Sequence, residues 1–376
     1  MVRQSRGILQ ESMIDYKFYA KDQQLPKINY NIISGILPQD RVIYDIKEAY
    51  DYDGALIVID SSIHKTFIEK EIFEYREQKD KKTRLLVDYA YETGLPEEMY
   101  NEKVKQIVSL GIDIKDTLFL FNRSAFSQWM EKHIDNIFFI DLFAVSAAVR
   151  HAIGRMPVSN ISVKDRPAKI NFLVGKIDKP SRSLCLQSFY KDNIRNSTIF
   201  SILGMPNDKK NLDKDYLKFL EDNQGPIDDA AFIKTGEGIS SQGWSNNCKI
   251  FDETSVSFIC ETHETNNSLF VTEKTYRPII NRHPFVARAS FPILQYLRAI
   301  GFRTFDQFID EAYDSVSDVD VEHIDTLIST AKNLLDQTSI NADKIQEIVD
   351  HNYETLIKFA QSELALFNRR IFGSLS

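Results

Sequence analysis

The sequence predicts an α/β protein made of two successive halves, each a parallel sheet covered by helices, followed by a helical tail. Three observations carry this reading. Short runs rich in β-branched and aromatic residues recur along the chain, and helix-compatible stretches separate them. The alternation breaks once, over residues 154–167, where Gly, Pro and polar residues gather, and then restarts.

In the first half, Ala55-Leu56-Ile57-Val58-Ile59-Asp60 is an apolar run closed by an aspartate, and a charged helical segment follows over 64–78. Thr83-Arg84-Leu85-Leu86-Val87-Asp88 repeats the strand signal, and residues 96–110 repeat the helical one. Residues 117–121 and 136–140 are further strands. In the second half, strands are expected over 169–175, 197–203, 255–260 and 284–287, with helices over 182–192 and 292–300. The polar stretch 206–244 reads as helix plus loop, and the tail as two helices over 321–335 and 341–372. This places one domain at 1–160, a second at 161–317 and a helical tail at 318–376. Two such halves imply Rossmann-like domains facing a cleft, with ligands at the carboxyl ends of the strands. A periplasmic-type binding protein or an epimerase shares that layout, so function must come from the site.

Composition narrows the classes. The 376 residues suffice for two domains, and 54 acidic against 46 basic residues give a net charge of −8. An acidic total disfavours bulk electrostatic binding to nucleic acid, while Lys79, Lys81, Lys82 and Arg84 form one local basic cluster. Cys185, Cys248 and Cys260 are odd in number and lack CxxC spacing, which fits free thiols in a reducing compartment. The first residues lack the apolar core of a signal peptide. The longest apolar stretch, 137–153, is broken by Asp141, Arg150 and His151, so no membrane span is expected. Both point to the cytoplasm.

The segment richest in chemistry is Phe270-Val271-Thr272-Glu273-Lys274-Thr275-Tyr276-Arg277-Pro278, just before the strand-like Pro284-Phe285-Val286-Ala287. It has the makings of a helix N-terminus at a sheet edge. Such an end offers N–H groups and a lysine to phosphates, and a carboxylate to a sugar diol. A solvated ion pair at a helix end is the competing reading.

Here the chain resembles a known family. Phe258-Ile259-Cys260-Glu261-Thr262, then Leu269-Phe270-Val271-Thr272-Glu273-Lys274, then Pro284-Phe285-Val286 follow the order seen in fucosyltransferase-like GT-B glycosyltransferases. That family's donor segment reads like F-x-x-E-N, Y-V-T-E-K and P-V-V. The continuation over 294–305 and 310–314 looks like a variant found in bacteriophage glycosyltransferase-like proteins. The resemblance spans residues 255–314, is thinner over 169–190 and is architectural before that. It implies a GT-B fold and a nucleotide diphosphate sugar, UDP- or GDP-linked, as donor, with no metal and no cofactor. Within the donor segment that holds Thr272, it implies that Glu273 binds the ribose hydroxyls and Lys274 the diphosphate. Phe270 stands where the family often has a tyrosine near the nucleotide. Phe172-Leu173-Val174-Gly175-Lys176 followed by Ser181-Arg182-Ser183 is similar to the family's strand and phosphate-binding arginine. Arg182 is then the second diphosphate contact and Lys176 its support, with Arg277 and Arg288 as further cations for the same pocket. Glu261, closing its strand at the cleft rim, lies near the donor sugar by the same resemblance; a strand-end carboxylate that caps the next loop is the competing reading. Thr262 in place of asparagine, and a longer spacer to Thr272, depart from the pattern and leave the sugar open.

Inverting transfer needs a base on the acceptor side. Glu92 follows the strand ending at Asp88 after a short aromatic loop, with Asp88 and Asp141 as rivals; Asp88 and Glu92 also suit capping of the helix that starts near Pro96. Other patterns fail on placement. Asp51-Tyr52-Asp53 precedes its strand and Asp318-Val319-Asp320 opens a tail helix, so neither D-x-D acts as a metal motif. Gly236-Glu237-Gly238-Ile239-Ser240-Ser241-Gln242-Gly243 reads as a mobile loop, and His263 and His283 lack metal-ligand spacing. The expectation is an inverting glycosyltransferase acting on a hydroxyl of a hydroxymethylated base in phage DNA or of a glycan. The alternative is a nucleotide-sugar binding module without catalysis.

Overall fold

The computed structural model describes residues 16–19, 42–43, 45–60, 70–89, 96–122, 136–152, 154, 156–174, 177, 180–202, 205, 212–224, 232–235, 238–241, 248–261, 269–289, 292–316 and 321–373. The chain divides into two compact units, Met1–Ala152 with Ala360–Ser376, and Ile153–Phe359.

The first unit carries a six-stranded parallel sheet. Its strands are β1 (Tyr16–Tyr19), β2 (Val42–Ile43), β3 (Ala55–Asp60), β4 (Thr83–Tyr89), β5 (Thr117–Asn122) and β6 (Ile137–Ile140). They lie in the order β2-β1-β3-β4-β5-β6. The helices are α1 (Ile46–Asp51), α2 (Lys70–Glu77), α3 (Pro96–Ser109) and α4 (Leu142–Ala152). Every residue of β5 is buried, so the run lacks polar alternation, as expected of a strand covered on both faces. Asp45 starts α1 by accepting the Lys47 and Glu48 N–H groups at 2.8 and 3.1 Å. The four strands expected in this half are present. β1, β2 and α1 lie outside the expectation, because their apolar runs are too short to stand out.

Arg76 of α2 is wholly buried and holds the amino end of this sheet together. Its guanidinium donates to Thr83 Oγ1 at 2.8 Å and to four carbonyls, those of Ala49, Tyr52, Gly54 and Lys82, at 2.6–3.1 Å. Five donors meet five acceptors, which is the condition for burying a guanidinium.

The second unit holds a four-stranded parallel sheet built from β7 (Ile170–Val174), β8 (Thr198–Ile202), β11 (Val256–Cys260) and β12 (Phe285–Arg288). Its order is β12-β11-β7-β8. Around it lie α5 (Pro180–Lys191), α6 (Lys214–Asp222), α7 (Lys249–Asp252), α8 (Glu273–Ile280), α9 (Ile293–Ala299) and α10 (Val321–Ile340). The last helix, α11 (Ala342–Gly373), belongs to this unit up to Phe359 and to the first unit from Ala360. Phe172 packs against Phe189, Phe200 and Phe258 with ring centroids 4.9–6.4 Å apart, and each such buried ring contributes roughly 1.5–3 kcal/mol. One expectation is corrected. Within 206–244 the chain forms α6 and then an antiparallel pair, β9 (Phe232–Thr235) and β10 (Gly238–Ser241), so the glycine-rich stretch contains a strand. Two residues separate these strands, a spacing that hairpins favour. The α/β class, with two parallel sheets and C-terminal helices, is the one expected.

Candidate functional site

The site is built where β11 ends. Glu261 follows the last residue of β11, is fully buried, and its carboxylate accepts three hydrogen bonds. Oε1 takes the Thr272 N–H at 3.0 Å and the Thr275 Oγ1–H at 2.7 Å, while Oε2 takes the Thr272 Oγ1–H at 2.6 Å. Thr272 and Thr275 are three apart across the first turn of α8, so both hydroxyls face the same side and reach one carboxylate. A buried, charge-assisted lock therefore fixes the start of α8 to the end of β11. The carboxylate expected at a cleft rim is instead inside the protein, because each of its oxygens is already bonded to the turn it holds.

Thr272 is the cap of α8, with extended backbone, and its hydroxyl is fully used. It donates to Glu261 and accepts from the Lys274 N–H at 3.3 Å and from Lys274 Nζ at 3.1 Å. The Thr275 and Tyr276 N–H groups go to the Thr272 carbonyl at 3.2 and 3.3 Å. The expected offer of backbone N–H groups is thus largely taken up inside the helix, and the side chains carry the site's charge.

Glu273 and Lys274 open α8 as expected, and they pair at 2.8 Å with side chains 17% and 23% exposed. Burial raises the Glu273 pKa, but the charge and hydrogen bond of Lys274 outweigh it and hold the carboxyl below its ordinary value. Glu273 is accordingly ionised near neutral pH, and both side chains are reachable from solvent. Arg182, in the first turn of α5, is buried and points its Nη2 at the Glu261 carbonyl, 3.4 Å away. Arg182, Lys274 and Glu273 thus gather around the end of β11, at the carboxyl edge of a parallel sheet.

Phe270 is buried, and Arg277 lies over the Phe251 ring at 5.7 Å, further along α8. Arg288 ends β12, and its backbone carbonyl accepts the Glu261 N–H at 2.8 Å. Thr275 is absent from the residues the sequence singles out. Its signal is the T-x-x-T spacing, which puts a second hydroxyl one helical turn after the cap.

In the first unit, Asp88 is the sixth residue of β4, in register with Leu120 of β5. Asp141 is buried, follows β6, and accepts the Ala144 N–H at 3.0 Å, while its own N–H goes to Glu363 at 2.8 Å. It caps α4 and is engaged in doing so. Glu92, Lys176, His263 and Asp318 to Asp320 lie outside the described residues. Asp53 is exposed and pairs with Lys81 at 2.9 Å. His283 is buried against Ser257 Oγ and the Thr254 carbonyl, and burial together with the Arg166 charge holds its pKa well below the ordinary value. That makes it a neutral core histidine. Among the described residues no three His, Cys, Asp or Glu side chains form a metal-binding group. No described helix is long and apolar enough to cross a membrane.

No protein-family model matches this sequence, and no curated protein is similar to it at the sequence level. Among solved structures, a T4 phage β-glucosyltransferase is similar over 95% of this chain and 98% of its own, at 9% identity and a TM-score of 0.45. A glycotransferase of kitacinnamycin matches over 95% and 86%, at 11% identity and a TM-score of 0.37. A single-site variant of Os79 from O. sativa in complex with UDP matches over 83% and 76%, at 11% and 0.36. All three TM-scores fall below 0.5, and likenesses of this strength assign no activity to the chain.

Proposed function

We propose that this chain is a glycosyltransferase of the GT-B type that moves a sugar from a nucleotide diphosphate donor to a hydroxyl, with inversion and without a metal. The observation that carries this reading is the locked start of α8. Glu261, Thr272 and Thr275 fix the turn that presents Glu273 and Lys274, beside Arg182, at the carboxyl edge of the second sheet. Glu273 is an ionised acceptor of the kind a ribose diol needs, and Lys274 and Arg182 are the cations a diphosphate needs. Glu261 positions the others through the lock and does not touch the ligand.

In the reaction, the acceptor oxygen bonds to the anomeric carbon as the bond from that carbon to the diphosphate breaks. The nucleoside diphosphate departs with the electron pair, and the hydroxyl proton passes to a base, for which Glu92 and Asp88 are the proposed residues. Negative charge grows on the leaving group, and cations already held near it stabilise that growth more than they stabilise the ground state. The acceptor hydroxyl belongs to a glycan or to a hydroxymethylated base in DNA. Lys79, Lys81, Lys82 and Arg84 give the DNA reading little support. They lie at the amino end of β4, away from the strand ends that bind ligands, and Lys81 is paired with Asp53.

The test is nucleotide release from a panel of UDP-, GDP-, dTDP- and CMP-sugars, with glycans, plain DNA and hydroxymethylated DNA as acceptors. Acceptor-dependent release from one donor, lost in Lys274→Ala, is the expected result. Tight nucleotide binding with no turnover on any acceptor would instead favour the non-catalytic module. With DNA as acceptor, the rate must fall steeply with added salt.

A further inference from the structure

We infer that Arg288 is a third binding residue for the diphosphate, and that its guanidinium is completed only when the ligand is present. The inference rests on the reading of the site given above.

Arg288 is 3% exposed, and its Nη1 donates to the carbonyl of the adjacent Ala289. Among the described residues its buried Nε and Nη2 meet no hydrogen-bond partner, and no carboxylate pairs with it. A buried cation with two empty donors is disfavoured unless something completes it, and buried polar groups in native proteins are nearly always satisfied. Two other buried arginines come closer to that rule. Arg76 uses five bonds, and Arg166 spends both Nη groups on Arg282 O, Asn281 O and Ser159 Oγ and leaves its Nε alone unbonded.

The surroundings indicate what completes Arg288. It is the last residue of β12, in register with Cys260 of β11, and in-register neighbours of a sheet present their side chains on the same face. Cys260 Sγ lies 3.5 Å from Cys185 Sγ of α5, so that face is the one α5 covers. Arg182 lies three residues before Cys185, one turn nearer the start of the same helix. Arg182 and Arg288 therefore flank the end of β11 from its two sides, on one face of the sheet. Glu261, the carboxylate between them, accepts from Thr272 and Thr275 and takes no bond from Arg288. With no partner among the described residues, an anion from outside the chain is the proposed one, and the Nε and Nη2 edge of one planar guanidinium suits a phosphate oxygen pair. Three cations around one strand end match the charge of a pyrophosphate group better than that of a monophosphate.

Wild type, Arg288→Met, Arg288→Lys and Lys274→Ala would be titrated calorimetrically with UDP, GDP, UMP, GMP and inorganic pyrophosphate, and their unliganded melting temperatures compared. Arg288→Met is expected to bind the diphosphate roughly tenfold or more weakly than wild type, while monophosphate binding stays nearly unchanged. Arg288→Lys, which keeps the charge and loses the fork, should fall between them. Unliganded Arg288→Met should melt at or above wild type, since it removes an unsatisfied buried charge. Equal diphosphate affinity in wild type and Arg288→Met, with loss in Lys274→Ala, would remove Arg288 from a site that otherwise stands. A clear drop in the unliganded melting temperature of Arg288→Met would likewise overturn the assignment, showing a structural arginine. Failure of wild type to bind any of the probes would remove the site reading and the assignment together.

Discussion

Arg76 in the first unit and Arg288 in the second are both withdrawn from solvent, 0% and 3% exposed, yet their surroundings differ in kind. Arg76 is met by a ring of four carbonyls and a hydroxyl at the amino end of its sheet, where no ligand is expected. Arg288 sits at the carboxyl end of the other sheet with two of its donor atoms unused. The first arrangement is what a protein builds when a cation holds the fold together. The second is what it builds when the fold holds a cation ready. Burial alone does not separate structural from functional arginines; the inventory of acceptors around each one does.

Substitutions can break or sharpen this contrast. The largest effect is expected at Arg76. Arg76→Met leaves the buried Ala49 carbonyl and three part-buried ones without their donor and should destabilise the first unit by about 3 kcal/mol, read as a lowered urea midpoint and faster hydrogen exchange over Ala55–Asp60. An unchanged midpoint would mean that the carbonyl ring is not stabilising, and the contrast with Arg288 would collapse.

A smaller effect is expected at Asp314, a carboxylate whose satisfaction is partial. It accepts the Leu294 and Gln295 N–H groups at the start of α9, at 2.9 and 3.4 Å, yet burial pushes its pKa up to about 6. Burial also raises its neighbour Glu311, while Arg298 opposes both shifts. A raised carboxyl pKa favours folding when the group is protonated. Its contribution is thus complete below pH ~4 and is lost as pH rises through about 6. Asp314→Asn should flatten the stability curve between those values, by on the order of 2 kcal/mol. A curve of unchanged slope would show that the carboxylate is better solvated than its surroundings imply.

The smallest effect belongs to Asp53, which is exposed and paired with Lys81 at 2.9 Å. The pairing lowers its pKa through the lysine's hydrogen bond and charge. Solvent screens such a pair, so Asp53→Asn should leave the melting temperature within experimental error. A measurable loss would show that the basic segment around Lys81 is held by that carboxylate after all.

How much of this is legible in the sequence depends on what each residue needs from its neighbours. The strands β3 to β6, β7, β8, β11 and β12 announce themselves, because a buried parallel strand must be apolar along its length. The start of α8 is legible too, since a cap threonine followed by Glu-Lys is a local arrangement. The lock is not. Glu261 meets Thr272 and Thr275 across 11 and 14 residues, a separation that follows no helical or strand period. Nor can the sequence distinguish Arg76 from Arg288, since the carbonyls that satisfy an arginine leave no mark on residue identity. The β9–β10 pair is hidden because its glycines outweigh the short alternation on either side of them.

The lock also bears on how this chain can drift over evolutionary time. Its three partners meet through space, 11 and 14 residues apart, and so follow no local sequence period. Glu261, Thr272 and Thr275 are not free to change, since losing one strands a buried charge or an unfilled hydroxyl. What descent can preserve of such a lock is a sparse signature. It consists of an acid closing an apolar strand, a gap, and then T-x-x-T at the start of a helix. A search built on those three positions, indifferent to the gap, would trace kinship where whole-chain alignment has lost it.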